Sequence, residues 1–488
     1  MSVRRRADVI EPTRATAGGG RWSKLVAMDS PRRGAAALAL SLLGLAAVGA
    51  CTASSEEVRP PADQIFFPTG LALSPDGSAL FVGSANSDLR YDSGTVTSIA
   101  TADVEAVVRA WQADRTIPAE QCPRADGTPC CAVDQNALET LDCDESLFLD
   151  DAAGNPRPGS TVRVGNFGTA LAVQDLGDGN ARLIVPVRGD PSITWIDWSG
   201  ASKTLACGGG EGLPLCDDAH RLTRVRGDAD LPAIADEPYG AYADSAGQFA
   251  MVSHLTSGTI TLVDSPKDGT PQVVDSLSGL FASDANGVRG ASGVAARDGI
   301  VYITSRTDPR VHMMTVARPP EQVPFIVPSS YFFLRAVGGT GGDSGDSRGI
   351  AFGAGGDRAY LIVRDPPTVQ QYDTSLNAQG APRNELLAAT DICRQGSSIV
   401  VGDLGGAVGE RVFVACYQSG ELYVLDGRAG LRVDSVTDIG RGPYSLALAA
   451  EKKLLFVSNF LEDSVAVIDA DPASPTAYHV LLRIGVRP

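Results

Sequence analysis

Arginine residues recur beside short polar turns in this sequence, at a position where they could bind an anion. The segments "VRGDP" (187–191), "SRTDP" (305–309) and "VRDPP" (363–367) carry Arg188, Arg306 and Arg364. Aligned segments place three further polar residues at the same position, namely His254, Tyr417 and Asn459. Guanidinium groups match carboxylate and phosphate geometry, so these six residues form a candidate ligand-binding ring.

The same segments also fit a structural interpretation, which the local pattern favours. Asp-Pro initiates turns, and an Arg next to it can pair with the neighbouring Asp. On this interpretation the arginines stabilise their own turns and bind no ligand. The two interpretations differ in whether Arg188, Arg306 and Arg364 converge or stay paired locally.

The turns belong to a repeat whose units read as short strands. "LLFVSNFLEDSVAVIDA" (454–470) alternates apolar and polar residues, breaks at a turn and alternates again, which predicts a strand, a turn and a strand. Seven copies occur, beginning at Phe67, Asn166, Glu237, Gly290, Asp346, Gly396 and Gly442. Most are followed by a fourth apolar stretch. Four antiparallel strands recurring about every 45–60 residues predict an all-β, seven-bladed β-propeller.

The copies resemble the YVTN β-propeller repeat. Copy one carries "PTGLALSPDG" (68–77) and copy seven carries "LFVSNFLEDSVAVID" (455–469), whereas the middle five copies are degenerate. The resemblance covers 66–488. It implies a propeller fold, and the family includes bacterial surface and periplasmic proteins and lactonase-like propellers. The last copy has its own fourth strand, so no exchanged closing strand is expected, and "DQIFF" (63–67) could supplement closure.

A long insertion interrupts copy one at about 101–159. Its first part, "ADVEAVVRAWQAD" (102–114), has helical spacing, and the rest is rich in Cys, Asp and Pro. We expect a disulfide-stapled cap on one propeller face that covers a site or binds a partner. The alternative is a loop without a role, tolerated on a rigid scaffold.

The N-terminal 50 residues read as a leader. From Met28, which is the expected true start, the chain has a basic pair, an apolar run and small residues before Cys51, as in a secretory signal. "VGAC" (48–51) resembles the bacterial lipobox, which implies that Cys51 carries lipid, with 51–65 as the linker. Thr52 after Cys51 fits outer-membrane sorting in lipoproteins. An ordinary cleavage site is the alternative.

The other eight cysteines indicate disulfides in an exported chain. Cys207 and Cys216 flank a Gly-rich loop and are expected to pair, which leaves Cys393 with Cys416. A bridge between adjacent Cys130 and Cys131 would be strained, so these should pair outward, to Cys122 and Cys143. Their individual connectivity stays open. Zinc is the alternative, weakened by the absence of nearby His.

Charge and motifs exclude several function classes. Without residues 1–50 the chain has 33 basic and 55 acidic residues, a net charge of −22, which disfavours nucleic-acid binding. No P-loop, Rossmann fingerprint, G-x-S-x-G elbow or HExxH motif occurs. We expect no cofactor, although the acidic stretch 142–151 could attract calcium.

These observations together predict a lipid-anchored propeller of the bacterial envelope. We expect a binding or scaffold module for a protein or small ligand, and not an enzyme. The alternative is a lactonase-like hydrolase with its site in the central funnel, using residues such as His254, Arg306 and Arg364; it predicts that His254 is perturbed and faces convergent carboxylates. A third hypothesis is a propeller that serves a separate electron-transfer protein.

Overall fold

Seven four-stranded antiparallel blades form the propeller that the repeat predicts, in a computed structural model that describes residues 58–117, 129–210, 212–335, 345–405 and 409–486. In blade one and its insertion the elements are β1 (Pro68–Leu73), β2 (Ala79–Ser84), β3 (Gly94–Ala100), α1 (Thr101–Asp114), β4 (Cys131–Val133), β5 (Leu141–Cys143), α2 (Ser146–Leu149) and β6 (Thr161–Val164). In blade two they are β7 (Ala172–Gly177), β8 (Asn180–Val187), β9 (Ser192–Ser199), β10 (Thr204–Ala206) and an added short strand, β11 (Arg221–Leu222).

The remaining blades follow the same order, from the innermost first strand to the outermost fourth strand. Blades three and four comprise β12 (Pro238–Asp244), β13 (Phe249–His254), β14 (Ile260–Asp264), β15 (Gln272–Leu277), β16 (Ala291–Arg297), β17 (Ile300–Ser305), β18 (Arg310–Ala317) and β19 (Phe325–Phe333). Blades five and six comprise β20 (Gly345–Phe352), β21 (Arg358–Asp365), β22 (Pro367–Asp373), β23 (Glu385–Asp391), β24 (Gly396–Asp403), β25 (Glu410–Cys416), β26 (Glu421–Asp426) and β27 (Arg432–Asp438). Blade seven comprises β28 (Pro443–Ala449), β29 (Leu454–Asn459), β30 (Ser464–Asp469) and β31 (Val480–Ile484).

The hydrophobic core lies between the blades. Each second strand packs on both faces, so β13 and β29 are buried along their whole length. Separate apolar clusters fill the spaces between successive blades; Phe81 and Leu183, for example, meet between blades one and two. Burial on both faces explains why these strands read as nearly continuous apolar runs, while the outer strands alternate with exposed residues.

Side-chain hydrogen bonds join successive blades around the channel. In five of the seven interfaces of the described propeller, a hydroxyl donates to a carbonyl of the next blade: Thr69 to Gly168 (2.6 Å), Thr169 to Tyr239 (2.6 Å), Ser253 to Ser292 (2.7 Å), Ser292 to Ser347 (2.8 Å) and Ser397 to Pro443 (2.7 Å). Arg364 bridges blades five and six through the carbonyl oxygen of Gly396 (2.9 Å). The Leu71 amide closes the circle by donating to the Ser445 hydroxyl (3.1 Å).

The described part of the insertion widens blade seven, while the expected cap over one face stays a prediction. β5 pairs in parallel with β31, and β4 pairs with β5, which gives blade seven a six-stranded sheet. Arg483 on β31 binds Asp142 and Asp134 of the insertion. The helix predicted at 102–114 is α1, whose Val104 and Trp111 pack into the core between blades seven and one. Blade one thus holds blade seven through this strand pairing, a closure that the repeat pattern does not reveal.

The described disulfides agree with the sequence. Cys207–Cys216 and Cys393–Cys416 are bonded, as predicted, and Cys131 bonds Cys143, one of the pairings that the sequence left open. Cys130 is also disulfide-bonded, and Cys122 lies outside the described residues. Disulfides of this kind are typical of exported proteins.

The N-terminal approach to the propeller is partly described. The leader and Cys51 lie outside the described residues. In "DQIFF", Ile65 and Phe66 are buried, and the amide of Phe67 donates to the Asp463 carboxylate (2.7 Å), so this segment ties blade one to blade seven. No helix in the described part of the chain is long and apolar enough to cross a membrane.

The hydrogen bonds between blades predict a measurable effect on stability. Ser397→Ala removes the donor that bridges blades six and seven, and should lower the free energy of unfolding by about 1 kcal/mol. The control is Ser202→Ala, because Ser202 is exposed and its hydroxyl contacts only its own blade. Urea unfolding followed by circular dichroism measures both. Equal stability of the two variants would contradict a bridging role for Ser397.

Candidate functional site

The candidate residues lie at one end of the propeller, which we call the upper face. It is the end at which the second strands β2, β8, β13, β17, β21, β25 and β29 finish. The antiparallel order of each blade brings the turn after its second strand and the connection to the next blade to this same end. A cavity of about 500 Å³ opens there, lined in part by Arg188, Glu237, Thr256, Arg306 and Asp346.

Four arginines gather around this cavity, and we call them the arginine arc: Arg188, Arg306, Arg348 and Arg364. Arg188 and Arg306 line the 500 Å³ cavity. Arg348 lies on the first strand of blade five and lines the channel beneath. Arg364 lies close enough to Arg348 and Arg306 for both to lower its pKa. The sequence motif identifies three members, but not Arg348, which comes from the "DSRG" start of copy five.

Arg188 is paired across blades and not within its own turn. Its Nη2 donates to Glu237 Oε1 (2.5 Å), and Glu237 also accepts from the Thr256 hydroxyl. Burial opposes ionisation of Glu237, but the hydrogen bonds from Thr256 and Arg188 outweigh it and lower the pKa of that carboxyl. Glu237 is therefore held as a carboxylate at the wall of the cavity.

Arg306 makes no ion pair or side-chain hydrogen bond within the described residues. Its turn aspartate, Asp308, is bound by Arg310 instead (2.6 Å), and the turn aspartate of Arg188, Asp190, is bound by Arg221. In these two turns, therefore, the Arg does not pair with the Asp of its own turn. Arg306 is half-buried at the cavity and keeps its hydrogen-bonding capacity for other groups.

Arg364 lies at the most crowded point of the arc. Burial, with Arg348 and Arg306 nearby, lowers its pKa to about 10, and the nearby Asp346 only partly offsets this. Asp346 itself forms a two-pronged ion pair with Arg348. Four guanidinium groups thus lie beside three carboxylates, those of Glu237, Asp346 and Asp284, which also lines the cavity. An anion bound here would offset the repulsion that Arg348 and Arg306 exert on Arg364.

Two tyrosines form the floor below the arc. Tyr239 of blade three and Tyr444 of blade seven reach into the channel, and their hydroxyl oxygens approach to 3.4 Å. Burial and the neighbouring Tyr239 raise the pKa of Tyr444, while Arg188 and Arg348 act in the opposite direction. The channel cavity here is about 200 Å³. The raised pKa keeps Tyr444 protonated, and both hydroxyls can donate hydrogen bonds to a bound anion.

His254 and Asn459 lie one residue away from the positions equivalent to Arg188 and Arg306. The amides of Arg188, Leu255, Arg306, Tyr417 and Phe460 all donate to the connection that precedes their blade, which identifies them as equivalent. His254 and Asn459 are instead the last residues of their strands. One residue along a strand reverses the face to which a side chain points.

Both residues are buried within the blades. His254 bonds the Asp236 carbonyl oxygen (3.1 Å) and the Thr261 hydroxyl (2.8 Å), and burial lowers its pKa to about 4. The pKa is perturbed, but these partners are not the convergent carboxylates that a hydrolase would need. Asn459 donates to the carbonyl oxygen of Ile439 (2.8 Å). Neither side chain lines the cavity of the upper face.

The calcium hypothesis rested on the acidic stretch 142–151. Asp142 is bound by Arg483 on blade seven. Burial and the nearby carboxylates of Asp63 and Asp151 raise the pKa of Asp150 to about 6. Among the described residues, no group of three or more His, Cys, Asp or Glu side chains is placed to hold a metal ion.

Comparisons with known proteins support the fold. No protein-family model matches the chain, and no curated protein matches it either; the YVTN resemblance therefore stays a prediction. A structure designated a candidate 6-phosphogluconolactonase from Bacteroides fragilis is similar, with 14% identity, a TM-score of 0.50, and coverage of 68% of this chain and 90% of that one. The chain is a seven-bladed β-propeller with such structural neighbours.

Two other solved structures show the breadth of this likeness. The periplasmic gluconolactonase of Pseudomonas aeruginosa has 16% identity and a TM-score of 0.47, covering 65% of this chain and 85% of that one. The hydrazine synthase of Kuenenia stuttgartiensis has 13% identity and a TM-score of 0.48, covering 86% and 98%. At these identities the likeness concerns the fold alone.

The turn of blade four predicts a pH-dependent loss of stability. Asp308 is fully buried; burial opposes its ionisation, but the nearby His312 (3.7 Å) and the hydrogen bonds from Arg310 hold its pKa well below the usual range. A depressed pKa stabilises the fold above the unfolded value, about 3.9, and this contribution disappears as pH falls below it. Asp308→Asn should therefore lower the free energy of unfolding by about 3 kcal/mol at pH 7 and progressively less below pH 4.

Urea unfolding at pH 7 and pH 3 measures this difference. The matched control is Asp298→Asn in the same blade, because Asp298 pairs with Arg297 at the surface. A loss of stability that is as large at pH 3 as at pH 7 would show that the Asp308 charge is not its cause.

Proposed function

We propose that this protein is an exported binding module whose upper face binds a small anion, a carboxylate or a phosphate, in the cavity bounded by the arginine arc. The observation that carries this proposal is Arg306, a half-buried guanidinium at the cavity with no ion pair within the described residues. It faces a site in which three more arginines are concentrated.

Local charge supports an anionic ligand despite the overall composition. The chain has a formal net charge of −17, so a cluster of four arginines with three carboxylates runs against its average. Guanidinium forks bind carboxylate and phosphate through paired hydrogen bonds, and these bonds strengthen where water is partly excluded. The Tyr239 and Tyr444 hydroxyls supply further donors beneath the arc.

Binding fits this geometry better than hydrolysis. A general base needs a pKa near the working pH. The pKa of Glu237 is lowered by its hydrogen bonds, and that carboxylate is held by Arg188 and Thr256. His254 is buried away from the cavity. Neither Glu237 nor His254 therefore offers such a base, and lactone hydrolysis is a direct test of the lactonase-like alternative.

The proposed location is the bacterial envelope. The disulfides fit an oxidising compartment. We propose that Cys51, the last residue of the lipobox-like "VGAC", carries the lipid anchor. We also propose that the propeller displays its upper face at the outer membrane to a ligand or an envelope protein. Two or more acyl chains make such an anchor stable.

The anion proposal predicts a loss of affinity in a single variant. Citrate titrated into the protein at low ionic strength should bind with measurable heat, and Arg306→Ala should weaken binding by about tenfold or more, because it removes a charged hydrogen-bond donor. Arg318→Ala is the control, since Arg318 lies at the opposite end of the same blade, after β18. Inorganic phosphate is the second probe.

The outcomes separate the two functions. Absence of heat with both citrate and phosphate would contradict anion binding. Hydrolysis of glucono-1,5-lactone above the spontaneous rate, lost in Arg306→Ala and kept in Arg318→Ala, would favour the hydrolase instead.

The anchor proposal predicts that Cys51→Ser moves the protein from the membrane fraction to the soluble fraction of a bacterial expression host. The lipid is attached through a thioether to the sulfur of Cys51, so the serine variant cannot be modified in this way. Fractionation after carbonate washing measures the distribution. Retention of the variant in washed membranes would contradict a lipid anchor at this residue.

A further inference from the structure

The part of the upper face that the arginine arc leaves open is lined by aromatic rings. We call these four residues the aromatic arc: Phe67, Tyr417, Tyr444 and Phe460. They come from blades one, six and seven, whereas the arginines come from blades two, four and five. All four rings are half-buried, so each keeps an exposed part.

The rings form one connected group. The centroid of Phe460 lies 5.3 Å from that of Phe67, 6.0 Å from that of Tyr444 and 6.3 Å from that of Tyr417. Tyr417 and Phe460 occupy the position, just after the second strand, that Arg188 and Arg306 occupy in their blades. The same structural position therefore carries guanidinium groups on one side of the propeller and rings on the other.

Tyr444 joins the two arcs. Its ring packs against Tyr417 and Phe460, and its hydroxyl meets Tyr239 at the floor of the arginine arc. Arg188 and Arg348 lie close enough to affect its pKa. A ligand resting on Tyr444 is thus within reach of positive charge on one side and of aromatic faces on the other.

The hydrogen bond from the Phe67 amide to Asp463 holds the backbone that carries this ring. The φ angle of Phe67 is 45°, and the corresponding residues Phe167, Glu237 and Asp346 also have positive φ angles, so this conformation belongs to the repeat.

We propose that the anion bound at the upper face carries a planar aromatic ring, with the carboxylate held by the arginine arc and the ring stacked on the aromatic arc. This inference rests on the proposed function. Aromatic rings pack face to edge or offset at centroid distances that match those inside the arc, so a ligand ring can extend the group by one member. An aliphatic anion of equal charge would contact the arginines and leave the rings exposed to water.

Two dicarboxylates of equal charge test the preference. Phthalate carries its carboxylates on an aromatic ring, and succinate carries them on an aliphatic chain. Isothermal titration of the full chain should give phthalate a Kd about tenfold lower than that of succinate. Phe460→Leu, which keeps apolar volume, and Tyr417→Ala should each reduce this ratio severalfold while leaving succinate binding unchanged.

A matched control and a second variant keep the test decisive. Phe325→Ala removes an exposed ring at the start of β19, which pairs with Ala317 at the end of the blade opposite the upper face, and should leave the ratio unchanged. Arg306→Ala should weaken both probes equally.

If both probes bind with the same Kd in the wild-type protein, the aromatic preference is overturned and anion binding stands. If neither probe binds, the proposed function itself fails. If Phe460→Leu and Tyr417→Ala lower only the melting temperature and keep the ratio, the aromatic arc packs the blades and does not bind the ligand.

Discussion

The hydrogen bonds that join successive blades around the channel are the constraint on which the upper face depends. The blades of a propeller contact their neighbours around the channel. The relative position of neighbouring first strands therefore sets the position of every turn above them. Hydroxyls such as Thr69 and Ser397 fix these positions against the next blade's backbone. A shift at one interface would change the spacing of residues contributed by several blades, including Arg188 and Arg306.

Arg364 shows that the same constraint also shapes the candidate site. Blade five bridges to blade six with this guanidinium, whereas the other interfaces use a hydroxyl. The guanidinium of Arg364 is consequently placed where burial and the neighbouring Arg348 lower its pKa. The contact between blades five and six and the proposed anion binding therefore share one side chain, and a loss of Arg364 would affect both.

Closure of the propeller involves a segment that lies inside the first copy of the repeat and not at either end of the chain. The insertion of blade one reaches the outer edge of blade seven, where Arg483 and the β5–β31 pairing hold it. Together with Phe67, which bonds Asp463, it connects the first and last blades on two sides. The aromatic arc lies at this junction, so its geometry depends on the closure, while the arginine arc depends on the interfaces of the middle blades.

Sequence alone was sufficient for the fold, because strands, turns and the repeat are encoded locally. The alternation around Asn459, the number of copies, α1 and the pairing of Cys207 with Cys216 all follow from neighbouring residues. The candidate site was predicted only in part: Arg188, Arg306 and Arg364 converge, but the alignment of His254 was one residue off, and a shift of one residue along a strand reverses the face. Only the tertiary structure decided that Arg188 pairs with Glu237, that Arg348 joins the arc and that Phe460 stands opposite Arg306. These relations join residues from different blades, and no local pattern specifies which residues meet across a channel.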